Sequence, residues 1–158
     1  MAVELDDHDR LIVDILLRDG RLPATELAEM VGLSRSAVGE RVARLERNGV
    51  IRGTTIIVDP AAVGRTITAF VACRGSVSLT AKATKAFDAL MKSDEVVEAH
   101  TIAGDDCYLI KVRTTSISAL NTLVAKLTAP PLSLRTRTTI VMKTHFEKLG
   151  GVTLGEDA

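Results

Sequence analysis

The chain has 158 residues, 46% of them apolar and 3% aromatic, and its 20 basic and 20 acidic side chains cancel to zero net charge. That length fits one domain or two small ones with aliphatic cores. No apolar run is long enough to span a membrane, and no signal-peptide pattern opens the sequence. With no overall positive charge, attraction to a polyanion has to be concentrated in a patch, and gains from presenting two patches at once.

Asp6 to Arg18 is predicted as a first helix. Leu11, Ile12, Ile15 and Leu16 form its apolar face, acids crowd its first turn where the helix dipole favours them, and Gly20 ends it. Pro23 opens a second helix, at a position where its missing N–H costs little. Within that helix Leu27, Met30 and Val31 sit at i, i+3 and i+4 and share a face. Gly32 supplies the positive φ that ends a helix cleanly, and Leu33 turns back to the core. Ser34 is a good N-cap for a third helix, whose inward stripe is Val38, Val42 and Leu45. Asn48-Gly49 stops it. A connection of only three or four residues between the second and third helices is the spacing of a helix-turn-helix.

The third helix has a second face. Arg35, Ser36, Gly39, Glu40, Ala43 and Arg47 lie outward, with Arg41 and Arg44 on the flank. In a helix-turn-helix the first turns of this helix enter the major groove of DNA. Arg35 and Ser36 are then the base-edge candidates, with Arg35 suited to guanine, while Glu40 can accept from a cytosine amino group. Gly39 permits close approach. Arg44, Arg47 and Arg52 suit phosphates, which position without reading sequence. The bland alternative is a solvated charged helix, in which Arg41 simply pairs with an acid of the first helix. Against it, residues 34–52 hold five arginines facing only Glu40 and Glu46, whereas residues 1–20 hold six acids facing Arg10 and Arg18.

The β-branched run Thr54 to Val58 predicts a strand, stopped by Asp59-Pro60, and a linker runs through Gly64. The expected division is a DNA-binding domain over 1–53, a strand and hinge over 54–65, a second domain over 66–148 and a tail over 149–158. In the second domain Thr66 to Val77 predicts a strand. Leu79 to Met91 predicts a helix with Ala83, Phe87, Leu90 and Met91 inward. Val96 to Ile102 predicts a strand, Gly104-Asp105-Asp106 a turn, and Cys107 to Arg113 a strand. Ile117 to Leu127 predicts a helix facing inward through Leu120, Leu123, Val124 and Leu127. After Pro130-Pro131, Leu134 to Phe146 predicts a long last strand. The fold class is α+β, with three N-terminal helices joined to a ferredoxin-like βαββαβ domain. One sheet face is covered by helices. Thr, Val and Ile on the other suit a sheet-to-sheet dimer.

LDDHDRLIVDIL at the start, LAEMVGLSRSAVGERVARLERNGVIRG, DPAAVG at the hinge and AGDDCYLIKV in the second domain together resemble the Lrp/AsnC (feast/famine) family of bacterial and archaeal transcription regulators, over roughly residues 5–148. The resemblance implies a homodimer built on the second domain and often assembled into a ring as a tetramer of dimers. It also implies palindromic, double-stranded promoter DNA as a partner, and an amino acid or related small metabolite as effector at subunit interfaces. The family's effector turn corresponds to Gly104, Asp105, Asp106, Cys107 and Tyr108. Many members have an aspartate where this chain has Cys107 and an aromatic where it has Asp106. An acid suits an amino-acid ammonium group, and backbone N–H groups of a glycine turn suit its carboxylate. Thr136, Thr138 and Thr139 can add hydroxyls. The plainer alternative is an ordinary hairpin turn beside ordinary strand threonines.

Cys73 and Cys107 have no metal or redox spacing and read as reduced thiols of a cytoplasmic, nucleoid-associated protein. His8, His100 and His145 are scattered without zinc spacing. No phosphate loop, nucleophile elbow or carboxylate pair stands out, so neither an enzyme nor a cofactor is expected. Two functions follow: a metabolite-responsive, sequence-specific regulator, or an architectural DNA-organising protein with little effector control.

Overall fold

Residues 3–75 and 80–147 are described by the computed structural model. They divide into two compact units, one reaching Ile57 and the other running from Val58 to Phe146.

The first unit is built of α1 (Asp7–Arg18), α2 (Ala24–Val31) and α3 (Arg35–Arg47). Asp6 caps α1 in a reciprocal box, its carboxylate accepting from Asp9 N–H while the Asp9 carboxylate accepts from Asp6 N–H. Pro23 stands at the N-cap of α2 rather than inside its first turn. Gly32 ends α2 in the left-handed region at φ 72°, a conformation that costs glycine nothing. Ser34 caps α3, accepting from Ala37 N–H at 3.2 Å. The core is Ile12, Ile15, Leu27, Ala28, Val31, Val38 and Leu45.

Two residues expected inside are not. Leu11 and Met30 are exposed, at 42% and 59%. Each lies roughly a quarter turn off the stripe that is buried, which in α1 runs through Asp9, Ile12 and Ile15 and in α2 through Leu27, Ala28 and Val31. Residues 54–58 form no strand in the described chain, and Ile56 and Ile57 are 70% and 71% exposed. β-branched side chains favour extended backbone, but a strand needs a neighbour to take its N–H and C=O groups, and among the described residues no strand pairs with this run.

The second unit carries β1 (Ile67–Arg74), α4 (Ala81–Met91), β2 (Val96–Thr101), β3 (Tyr108–Thr114), α5 (Ile117–Thr128) and β4 (Arg135–Ile140). The four strands form an antiparallel sheet in the order β2-β3-β1-β4, the ferredoxin-like arrangement. Residues 76–79 and the tail from 148 lie outside the described residues, so the end of the strand predicted over Thr66 to Val77, and Leu79, are not described. Thr80 and Ser116 cap α4 and α5 through their hydroxyls. Val71, Ile110, Val112, Leu120, Leu123 and Leu127 centre the core.

β4 is shorter than the run to Phe146. Ile140 pairs with Ala69 and Val141 donates to Thr68, which brings β4 level with the start of β1. Beyond that point no strand remains to pair with. The open sheet face also differs from expectation. Side chains alternate, and Val71, Ile110 and Val112 point into the helix-covered core. The other face shows Phe70, Ala72 and Leu109 among Arg74, Lys111, Arg113 and Arg137. It is a mixed face rather than one of Thr, Val and Ile. Among the described residues no helix is long and apolar enough to cross a membrane.

Candidate functional site

The sharp turn from α2 to α3 needs Gly32 at positive φ and Ser34 at the cap, so the three residues Gly32, Leu33 and Ser34 bring the chain from one helix to the start of the next. Val38 and Leu45 then bury one side of α3 and fix which side faces out. The outward side forms a shallow concave surface that includes Ser36, Gly39, Glu40, Arg41, Arg44 and Arg47. Ser36, Glu40 and Arg47 are exposed there, and Arg35 is exposed at the first position of the helix. A Cβ added to Gly39 meets no atom within 4 Å. The glycine is therefore not required by packing, and it leaves a gap on the exposed face. Ser34 Oγ also lies 3.1 Å from Ser36 Oγ. Arg52 is exposed after the third helix.

Arg41 and Arg44 are placed differently from Arg35 and Arg47. Arg41 Nη1 donates to Asp6 Oδ2 at 2.6 Å and to Asp9 Oδ1 at 2.8 Å. Arg44 Nη2 donates to both Asp9 oxygens, at 2.7 and 2.6 Å. Asp9 is 1% exposed, a buried carboxylate whose charge is offset by two guanidinium groups reaching across from another helix. Arg41 lowers the pKa of the Asp6 carboxyl below its ordinary value, helped by the Asp9 N–H, and Asp6 and Asp9 raise that of Arg41. Charged hydrogen bonds of this length hold the ionised forms. From sequence alone Asp9 is one more acid of a first turn. Its signal was its place three residues before Ile12, on the stripe that faces inward.

In the second unit the turn between β2 and β3 places Gly104 at φ 132°, a left-handed conformation suited to glycine. Arg74 Nε donates to the Asp105 carbonyl at 2.8 Å. Arg137 Nη2 donates to Asp106 Oδ2 at 3.0 Å, and Arg74 Nε stands 3.8 Å from Asp106 Oδ1. Cys107 donates its thiol to the Gly75 carbonyl at 3.0 Å and its N–H to Cys73 O. Tyr108 is buried against Phe87, ring centroids 4.7 Å apart. Thr136 and Thr138 pair with Cys73 and Val71, on the side of β4 opposite Arg137 and Thr139. The structure therefore brings Asp105 and Asp106 together with Arg74 and Arg137, two arginines not singled out from sequence. It puts Thr136 and Thr138 on the other face from Arg137. Burial pushes the Cys73 thiol up to about 11, with the Asp106 charge adding to it, so it stays protonated at neutral pH.

Comparison with known proteins agrees with both halves. The profile described as winged helix-turn-helix DNA-binding matches residues 5–52, and that of the Lrp/AsnC ligand binding domain matches residues 68–149. The HTH-type transcriptional regulator FL11 of Pyrococcus abyssi is 35% identical over 147 residues, covering 93% of this chain and 95% of that protein. The HTH-type transcriptional regulator LrpA of Mycobacterium tuberculosis is 38% identical over 146 residues, with 92% and 95% covered. A solved feast or famine regulatory protein of M. tuberculosis, complexed with L-methionine, superposes with a TM-score of 0.80 at 38% identity, covering 91% of this chain and 96% of that one. The chain belongs to the Lrp/AsnC family of DNA-binding transcription regulators.

Proposed function

We propose that this regulator reads promoter DNA with the outward face of α3. Arg35, Ser36, Gly39 and Glu40 meet base edges, and Arg47 and Arg52 meet phosphates. The observation that carries this reading is the Ser34-capped start of α3, exposed and, among the described residues, without an ion pair at Arg35, beside the gap at Gly39. Arg41 acts as a tie between α3 and α1 rather than as a DNA contact, since its charge is shared between Asp6 and Asp9. Replacing Gly39 with Ala tests the close approach. The added methyl group has room in the protein and favours helix by about 0.5–1 kcal/mol, so melting rises while DNA affinity falls. Unchanged affinity would remove Gly39 from the interface.

The second unit binds an amino-acid-type effector at the Gly104 to Tyr108 turn, in a homodimer that assembles further as a tetramer of dimers and works on the nucleoid in the cytoplasm. The L-methionine held by the M. tuberculosis relative supports the ligand class, and the exposed Ile56, Ile57 and Phe70 support association. The effector has to prefer one assembly or DNA-bound state to alter regulation. The test is binding to a duplex from the chain's own upstream region with a panel of amino acids, with thermal shift in parallel. A ligand that moves both supports control by a metabolite. If none moves either, the architectural role is preferred. One observation favours that second role: Asp106 is already paired with Arg137, and Asp105 with Arg74 at 3.3 Å, so an incoming ammonium group has to displace a guanidinium.

A further inference from the structure

Arg44 occupies two environments at once. It is part of the concave surface along the outside of α3, and it is held from behind by the buried Asp9. Both of its bonds to Asp9 use Nη2 alone, and its side chain remains 47% exposed. Among the described residues Nε and Nη1 make no hydrogen bond or ion pair. A guanidinium is a planar fork with donors on more than one edge, so one edge can rest on a carboxylate while another serves a phosphate; an ammonium group cannot divide itself in this way. An unheld arginine side chain loses rotamer freedom when it binds, and a held one has already lost it.

We propose that Asp9 is a positioning residue for DNA binding. Its carboxylate, fixed in the interior of the three-helix unit by the capping box and by Arg41, holds the Arg44 guanidinium in the orientation in which its remaining N–H groups meet a backbone phosphate. The proposal rests on the assignment of α3 as the DNA-reading helix. It adds that a buried acid, which by charge alone opposes DNA, favours binding by organising one of the cations.

The sign of the effect separates this role from simple electrostatics. If Asp9 only diluted the positive charge of α3, Asp9→Asn would tighten DNA binding. If it positions Arg44, Asp9→Asn weakens binding, by about tenfold. Binding is measured with the full chain and a duplex from its own upstream region, across a salt series. Arg44→Ala weakens binding, and its log–log salt slope falls by about one phosphate contact. Asp9→Asn in the Arg44→Ala background adds little, because the residue it acts through is gone. Arg44→Lys keeps the charge that Asp9 needs, so the protein folds whether or not Asp9→Asn does. Lacking a second edge, it binds DNA nearly as weakly as Arg44→Ala. Wild-type affinity and slope in Arg44→Lys overturn the proposal, as does full additivity of Asp9→Asn and Arg44→Ala, or tighter binding by Asp9→Asn. Arg35→Ala and Arg47→Ala are the controls. If they weaken binding while Arg44→Lys does not, Asp9 loses its role and α3 keeps its own. If none of these substitutions matters, both fall.

Discussion

The two units each hold an acid between two arginines, and the two clusters differ in what surrounds them. Asp9 has a side chain 2% exposed and takes Arg41 and Arg44 at 2.6–2.8 Å. Asp106 is 18% exposed and takes Arg137 at 3.0 Å, with Arg74 at 3.8 Å, and those arginines are 77% and 54% exposed. The same residue types therefore carry different consequences. A buried carboxylate stripped of its partners, or a pair broken from inside, costs far more than a surface pair, whose attraction is offset by water, salt and side-chain entropy. The first cluster fixes a helix in place. The second, at the surface, can exchange partners.

The largest expected effect follows from breaking the first cluster at its buried member. Asp9→Ala should destabilise the first unit by about 3 kcal/mol, the low end for a broken buried pair because the arginines left behind reach water. Chemical denaturation followed by helix signal measures it. A loss below about 1 kcal/mol would make the Asp9 cluster no different from a surface pair.

Acid titration acts on the same cluster more gently. The Asp6 carboxyl is held below the ordinary value of 3.8, chiefly by Arg41. A carboxyl with a lowered folded pKa contributes stability that is complete above its unfolded value and is lost as the pH falls through the folded one. Melting of the wild type should therefore decline below about pH 4 in part through Asp6, and Asp6→Asn should flatten that decline. An identical acid profile in Asp6→Asn would contradict the link.

The smallest stability effect belongs to the second cluster. Asp106→Ala should cost less than about 1 kcal/mol. It should nonetheless change how any amino acid alters DNA binding, because it removes the acid nearest Arg137. A large loss of stability in this variant would erase the contrast between the clusters.

Much of the first unit was legible because its signals are local. Gly32, Ser34 and the stripe of Val38, Val42 and Leu45 act within one or two helical turns, and the structure places the turn, the cap and the third helix accordingly. The order of strands and helices in the second unit was legible for the same reason. What escaped the sequence depends on distant partners. Asp9 meets arginines 32 and 35 positions away, so its place on the inward stripe is a local signal but its partners are not. Residues 54–58 have strand propensity without a neighbouring strand. The last strand stops at Ile140 because β1, which it pairs with, has begun by then. At the turn between β2 and β3 the Gly104 bend was readable, but Arg74 and Arg137 reach it from two other strands, and nothing in the string GDDCY announces them.

The claim that α3 reads sequence is tested most directly by measuring the affinity of Arg35→Ala for a set of duplexes that differ at single base pairs. The account predicts that preference at one position in each half-site relaxes, with a loss of about 1–3 kcal/mol on the preferred base. Equal weakening on every duplex, or none on any, would contradict it.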